Sequence, residues 1–200
     1  PREVMVVGGG PAGMKAAAVA AERGHRVTLF ERESRLGGQA QLAAMLPGRS
    51  EFGGIVTNLS REMELAGVEI RTGTPVSREL IDTEQPDAII VATGATPLDV
   101  EVEGASDAHV VEAWQVITDQ ANVGQRVVIA DWRFDWIGMG LAEKLARAGC
   151  HVRLAVQGYM AGQTIDGMVR DRWAGDLYKL GVEVIPYARV FGVDQDSVYL

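Results

Sequence analysis

Three glycines and one carboxylate carry the first chemical signal of the chain. Gly8, Gly10 and Gly13 stand in the spacing G-x-G-x-x-G, and Glu31 follows downstream. Gly8 permits a tight turn. Gly10 has no side chain, so a pyrophosphate can come against the backbone, and Gly13 lets a helix pack close to a strand. The N-terminus of the helix that follows would present free N–H groups and the positive end of its dipole to that anion. Glu31 can accept hydrogen bonds from both hydroxyls of an adenosine ribose, and its charge disfavours a 2′-phosphate. Gly8, Gly10, Pro11, Ala12, Gly13 and Glu31 therefore read as a cradle for the adenosine diphosphate end of a dinucleotide. The competing reading is a Gly-rich turn with no ligand.

The elements around these residues match that chemistry. Val4–Val7 is a short apolar run of the kind a buried parallel strand needs. An Ala-rich helical segment runs from Met14 to Arg23, and Gly24 sits where a C-cap would. Val27–Phe30 is a second strand that delivers Glu31 at its end. Leu36-Gly37-Gly38-Gln39 is a second Gly-rich spot, whose flexible backbone can close over the far side of a long dinucleotide. The ordinary-loop reading stands beside it. Phe52 to Leu65 has helical apolar spacing, Val68–Arg71 reads as a strand, and Arg78 to Asp82 as a short helix. In a doubly wound sheet the backbone after the third strand lies near the adenine, which makes Val76 a candidate to flank the base. Asp87–Ala92 is the most hydrophobic strand, and it runs into Thr93-Gly94-Ala95 at the edge where ligands bind in open parallel sheets.

The plan then repeats. Leu98–Glu103 is expected as a connecting strand and His109–Thr118 as a short helix. The domain boundary is expected between Thr118 and Gln125, so that residues 1–120 form a first domain and 121–200 a second. Val127–Ala130, Val152–Val156 and Val182–Ile185 read as strands. Ile137–Ala148, with Leu141, Leu145 and Ala148 on one face, and Asp166–Leu180 read as helices. Val190–Val193 and Ser197–Leu200 read as a closing antiparallel pair. The repeat lacks its phosphate turn. Between Ala130 and Gly138 stand Asp131-Trp132-Arg133-Phe134-Asp135-Trp136-Ile137. The three rings would fill the space a pyrophosphate needs, the two carboxylates add like charge, and Gln157 replaces an acid after the second strand. Two readings stay open: a degenerate half serving as a lid or docking surface, or a reshaped loop that still binds NAD(P)H weakly.

Composition narrows the partners. With 47% hydrophobic residues and 24 glycines the chain can build a real core with many tight turns. No apolar run approaches the ~20 residues of a membrane span, and no signal peptide is visible. A net charge of −8 repels nucleic acid and anionic membranes, so neither is an expected partner. The lone Cys150 forms no internal disulfide and reads as a structural thiol, which fits a reducing cytoplasm. His25, His109 and His151 lack metal-ligand spacing, so no metal site is expected. The chain opens on Pro1 and its first strand starts at once, so a piece of a longer polypeptide is expected.

Val7 to Gly13 with Glu31, then Leu36-Gly37-Gly38-Gln39, then Ala92-Thr93-Gly94-Ala95 together resemble the flavoproteins with two dinucleotide-binding domains. Leu36–Gln39 followed by Ala43-Ala44-Met45-Leu46-Pro47-Gly48, and Leu141–Ala146 after a glycine-poor loop, resemble one group in particular. This is the trimethylamine dehydrogenase and 2,4-dienoyl-CoA reductase group of NADH:flavin oxidoreductases. The resemblance covers nearly the whole chain. It implies an α/β fold of two Rossmann-like three-layer domains of the glutathione-reductase-like type, the first phosphate loop intact and the second degenerate. It implies FAD, or ADP in its place, held by the residues named above. Arg32 would lie beside the adenine, and Gly38, Gln39, Ala92, Thr93 and Gly94 would line the route toward a flavin. It further implies an N-terminal TIM barrel of the same polypeptide, carrying FMN and an iron–sulfur cluster, as the partner that does the substrate chemistry. The flavin-binding domain is expected to lack a later segment with a Gly-Asp turn. NAD(P) is doubtful, a homo-oligomer is left open, and no catalytic acid, base or nucleophile is assigned. The disulfide reductases of the wider superfamily need a redox cysteine pair, which one cysteine cannot supply.

Overall fold

The computed structural model describes residues 1–98, 101–106 and 108–200. The chain divides into two compact units, Pro1–Thr96 and Pro97–Leu200. In the first, β1 (Glu3–Val7), β2 (Arg26–Phe30), β3 (Glu69–Arg71) and β4 (Ala88–Val91) form one parallel sheet in the order β3-β2-β1-β4. Alternate residues of a strand face the same side. Val4 and Val6 of β1 and Val27 and Leu29 of β2 accordingly pack with Met14, Ala17 and Ala18 of α1 (Pro11–Glu22) and Met63 of α3 (Gly53–Ala66). Each fully buried Leu or Met here contributes about 1.5–3 kcal/mol. Alanines at 17 and 18 leave room for this close approach of helix to sheet.

Helix α1 opens earlier than its apolar pattern indicated, at Pro11. The fixed φ of proline suits the first helical position, where no N–H is needed. Helix α2 (Gln39–Ala44) and a 3-10 turn over Ser50–Phe52 carry no amphipathic signal, since neither has a buried residue. Helix α4 (Arg78–Glu84) starts on the Ser77 hydroxyl, which accepts the Leu80 N–H at 3.3 Å.

In the second unit β5 (Arg126–Asp131), β6 (His151–Val156) and β7 (Glu183–Ile185) pair in parallel in that order. Ile129, Val152, Leu154 and Val156 are buried there, as are Met139, Leu141 and Leu145 of α6 (Trp136–Arg147) and Leu177 of α7 (Gly167–Lys179). Leu141 and Leu145 lie on the buried face as expected, but Ala148 does not: it is the exposed C-cap, one residue past the helix. Helix α5 is confined to Ala113–Ile117, because Glu112 and Gln115 close a reciprocal capping box at its start.

The division at Thr96 and Pro97 falls before the expected one between Thr118 and Gln125. Helix α5 goes with the second unit for a physical reason. Val116 and Ile117 are buried, and Lys144 of α6 donates to their carbonyls at 3.1 and 2.7 Å while pairing with Asp119 at 2.8 Å. Of the expected strand over 98–103, residues 99 and 100 lie outside the described residues. Glu103 makes a single parallel bridge to Gly192. The closing pair shortens to β8 (Gly192–Val193) and β9 (Val198–Tyr199), antiparallel. Asp194 caps that turn. The Tyr199 hydroxyl, at 2.6 Å, and the amides of Asp196 and Ser197 hold its carboxyl below the usual range. Among the described residues no helix is long and apolar enough to cross a membrane.

Candidate nucleotide-binding site

Strands β1 and β4 pair from Val4↔Ala88 to Val7↔Val91, and the Ala92 N–H continues the ladder to the Val7 carbonyl at 2.8 Å. The turns after both strands therefore meet at the carboxyl edge, where β1 lies between β2 and β4. This is the switch point at which open α/β sheets bind ligands. Gly8 stands there at φ +110, and a Cβ on it would lie 2.4 Å from the Ala92 carbonyl oxygen. A Cβ on Gly13 would lie 1.9 Å from the Gly8 carbonyl oxygen. These two positions are closed by packing, so nothing larger than glycine fits. Gly10 differs: a Cβ there would meet nothing within 4 Å. It is the N-cap of α1, with no side-chain cap. The first turn of the helix, where Ala12 and Gly13 stand, supplies no internal acceptor for its own amides.

Glu31 is buried, with 8% of its surface exposed. Its Oε2 accepts the Gly9 N–H at 2.6 Å and its Oε1 accepts the Glu33 N–H at 2.8 Å. A carboxylate offers about four lone-pair positions, so two remain for ribose hydroxyls. The link from Glu31 to the glycine turn is invisible in the spacing alone. So is the packing of Gly9, where a Cβ would lie 2.6 Å from Leu36 Cδ2. Arg32 is exposed and pairs with Glu33 at 3.3 Å. The amides of Gly73 and Thr74 donate to the Glu33 and Glu31 carbonyls at 2.8 Å each. That brings the stretch leading to the half-buried Val76 beside Glu31–Glu33.

The Leu36–Gln39 loop lies on the glycine turn. The Gly37 N–H donates to the Gly9 carbonyl at 2.8 Å, and a Cβ on Gly38 would lie 3.2 Å from Gly10 Cα. Gly38 holds φ +47, a conformation that glycine adopts without a Cβ clash. Gln39 Nε2 then donates to the Ala95 carbonyl at 2.9 Å, beside the exposed Thr93 and Gly94. Three segments far apart in sequence, around residues 8–13, 31–39 and 92–95, thus converge on one edge.

The corresponding edge of the second unit is built otherwise. Asp131 is 5% exposed, and its Oδ1 accepts the Arg133 and Phe134 N–H groups at 3.0 Å each. Burial is the main cause that pushes its carboxyl above the usual range. Asp135 caps α6 by accepting the Ile137 N–H at 2.9 Å, and pairs with Arg133 at 2.7 Å. The rings are less central than their clustering suggested. Trp136 packs on Trp173 of α7, with centroids 5.3 Å apart. Asp131, not an aromatic ring, lies against Gly138. Gln157 is exposed at the end of β6. Among the described residues no cluster of His, Cys, Asp or Glu could hold a metal ion.

Comparison with known proteins agrees with this architecture. The chain is 34% identical over 197 residues to the bilirubin reductase of Mediterraneibacter gnavus, covering 98% of this chain and 30% of that protein. It is 35% identical over 184 residues to the N,N-dimethylglycine/sarcosine dehydrogenase of Chromohalobacter salexigens, covering 89% and 26%. The solved structure of histamine dehydrogenase from Rhizobium sp. 4-9 shares the fold, with a TM-score of 0.92 at 24% identity, over 98% of this chain and 32% of that one. The chain thus spans less than a third of the length of each. The family model described as pyridine nucleotide-disulphide oxidoreductase matches residues 2–199, and the chain belongs to that family.

Proposed function

We propose that this chain is the nucleotide-binding module of an NADH:flavin-type oxidoreductase of the trimethylamine dehydrogenase and 2,4-dienoyl-CoA reductase group. Its first unit holds the adenosine diphosphate part of FAD, or ADP itself. The observation that carries this reading is the open position at Gly10, on a turn where the neighbouring glycines are closed by packing. The residues present fit the group. Gly8, Gly10, Pro11, Ala12 and Gly13 bind the diphosphate through bare backbone and the start of α1. Glu31 takes the ribose hydroxyls and excludes a 2′-phosphate. Arg32 and Val76 flank the adenine. Gly38, Gln39, Ala92, Thr93 and Gly94 line the way to a flavin. When bound, FAD supplies hydride and single-electron transfer.

The rest of the polypeptide is proposed to be a TIM barrel with FMN and an iron–sulfur cluster, working in a reducing cytoplasm. Relatives named as a dehydrogenase of methylated amino acids and as a reductase leave an amine or an enoyl compound as the substrate class. A second reading keeps the fold and makes the nucleotide a permanent structural ADP. The carboxyl-filled turn of the second unit favours it, since that turn offers no free cradle for an electron-donating nucleotide.

Release of the bound nucleotide by denaturation separates the two. Yellow colour and a flavin spectrum establish FAD, whereas ADP alone establishes the structural role. Calorimetry with ADP on the emptied chain tests the site itself. Glu31→Ala is expected to lose about 1.5–3 kcal/mol of binding, roughly 10- to 150-fold in Kd. An unchanged Kd overturns the ribose assignment.

A further inference from the structure

The family implies a pyridine nucleotide, and the second unit repeats the strand–turn–helix plan that holds one, yet its residues do not fit that group. An anion-binding turn needs backbone N–H groups without acceptors at a helix start. Here the Arg133 and Phe134 amides are taken by Asp131 Oδ1, and the Ile137 amide in the first turn of α6 is taken by Asp135 Oδ1. Asp131 Oδ2 is buried against Gly138, where a Cβ would lie 2.4 Å from it, and has no hydrogen-bond partner among the described residues.

A second observation is independent of the carboxylates. The segment 158–165, after β6, folds back onto the same turn. The Thr164 N–H and hydroxyl both donate to the Phe134 carbonyl, at 3.1 and 2.8 Å. A Cβ on Gly158 would lie 2.5 Å from Gln163 Oε1 and 3.4 Å from the Phe134 ring. Ala161 and Ile165 are buried, and Gly162 packs on the sulfur of Met139 from α6. The crevice beyond β5 and β6 is thus lined and covered by the chain's own side chains.

We propose that the second unit is self-liganded: the Asp131 and Asp135 carboxyls serve as its internal acceptors, the 158–165 strap seals the crevice, and the unit holds no pyridine nucleotide. This concerns the second unit alone and stands whichever nucleotide the first unit binds.

The test begins with calorimetry of NADH and NADPH on the chain saturated with ADP. No heat of binding is expected at about 1 mM nucleotide, and a micromolar Kd overturns the proposal. Asp131→Ala then leaves the Arg133 and Phe134 amides without their acceptor. It is expected to lower Tm by about 3–8 °C. Inorganic phosphate at constant ionic strength is expected to restore at least half of that loss and to leave the parent chain nearly unmoved, by mass action on a vacated anion site. An equal phosphate response in parent and variant overturns the internal-acceptor role. If Asp131→Ala does not fold, Thr164→Ala decides. It is expected to speed hydrogen exchange of the 132–136 amides while the first unit is unchanged, and unchanged exchange there overturns the strap.

Discussion

At the residue scale, the glycine turn separates packing from binding. Gly13 and Gly10 are both glycines of one motif, but only Gly13 has a neighbour in the way, the Gly8 carbonyl 1.9 Å from where a Cβ would be. Gly13→Ala is therefore expected to destabilise the chain by about 1–3 kcal/mol through overpacking. Gly10→Ala is expected to cost under about 1 kcal/mol, the scale of an N-cap change, while weakening ADP binding at least tenfold. Thermal melts and calorimetry on the two variants check this crossed pattern. Asp131 yields a pH prediction. Burial is the first cause that raises its folded carboxyl above the unfolded value of about 3.9, so the folded state holds the proton more tightly. Its contribution to stability is then fullest below about pH 4 and declines as pH rises through the raised folded pKa. Asp131→Asn cannot titrate and keeps an oxygen for the Arg133 and Phe134 amides. The Tm of Asp131→Asn relative to the parent should climb between about pH 4 and pH 7, and a flat difference across that range would count against a raised Asp131.

At the element scale, helices α6 and α7 are joined by one polar contact inside an aromatic one. Trp173 Nε1 donates to Glu143 Oε2 at 2.7 Å, Arg147 holds the other oxygen at 2.8 Å, and Glu143 is 8% exposed. Trp173→Phe keeps a ring for Trp136 and leaves a buried carboxylate oxygen without its donor. The expected cost is about 1–3 kcal/mol, seen as a Tm loss of roughly 3–10 °C in a chain of this size. A melt within a degree of the parent would show that water replaces the indole. In the first unit, the loop after β2 and the turn after β4 are tied by the Gln39 side chain on the Ala95 carbonyl. Together with the Gly37 amide on the Gly9 carbonyl, that tie holds in place over the glycine turn a loop whose residues 32–35, 38 and 39 are exposed.

At the scale of the whole molecule, two units of one plan differ at the edge where a ligand would bind. The first presents open backbone at Gly10, and the second presents carboxylates and a strap. Hydrogen exchange should register the difference directly. ADP is expected to protect amides in 8–13, 31–39 and 92–95, and to leave 126–156 as they were, because ligand binding stabilises the states that carry the site. Protection spread evenly over both units would contradict a site confined to the first.

The parallel-sheet plan, the strand–glycine–helix–strand unit and the family resemblance were legible in the chain by itself. Strand alternation, helical apolar spacing and the glycine motif are local properties, written in residues that are neighbours in sequence. Helix α2, the assignment of α5 to the second unit, the anchoring of Gly9 by Glu31 and the sealing of the second crevice by Asp131 and Thr164 were decided only by tertiary structure. Each depends on hydrogen bonds or contacts between segments with no shared periodicity. An acid after a strand can reach for a ribose or for its own backbone, and spacing alone does not say which amide lies within its reach.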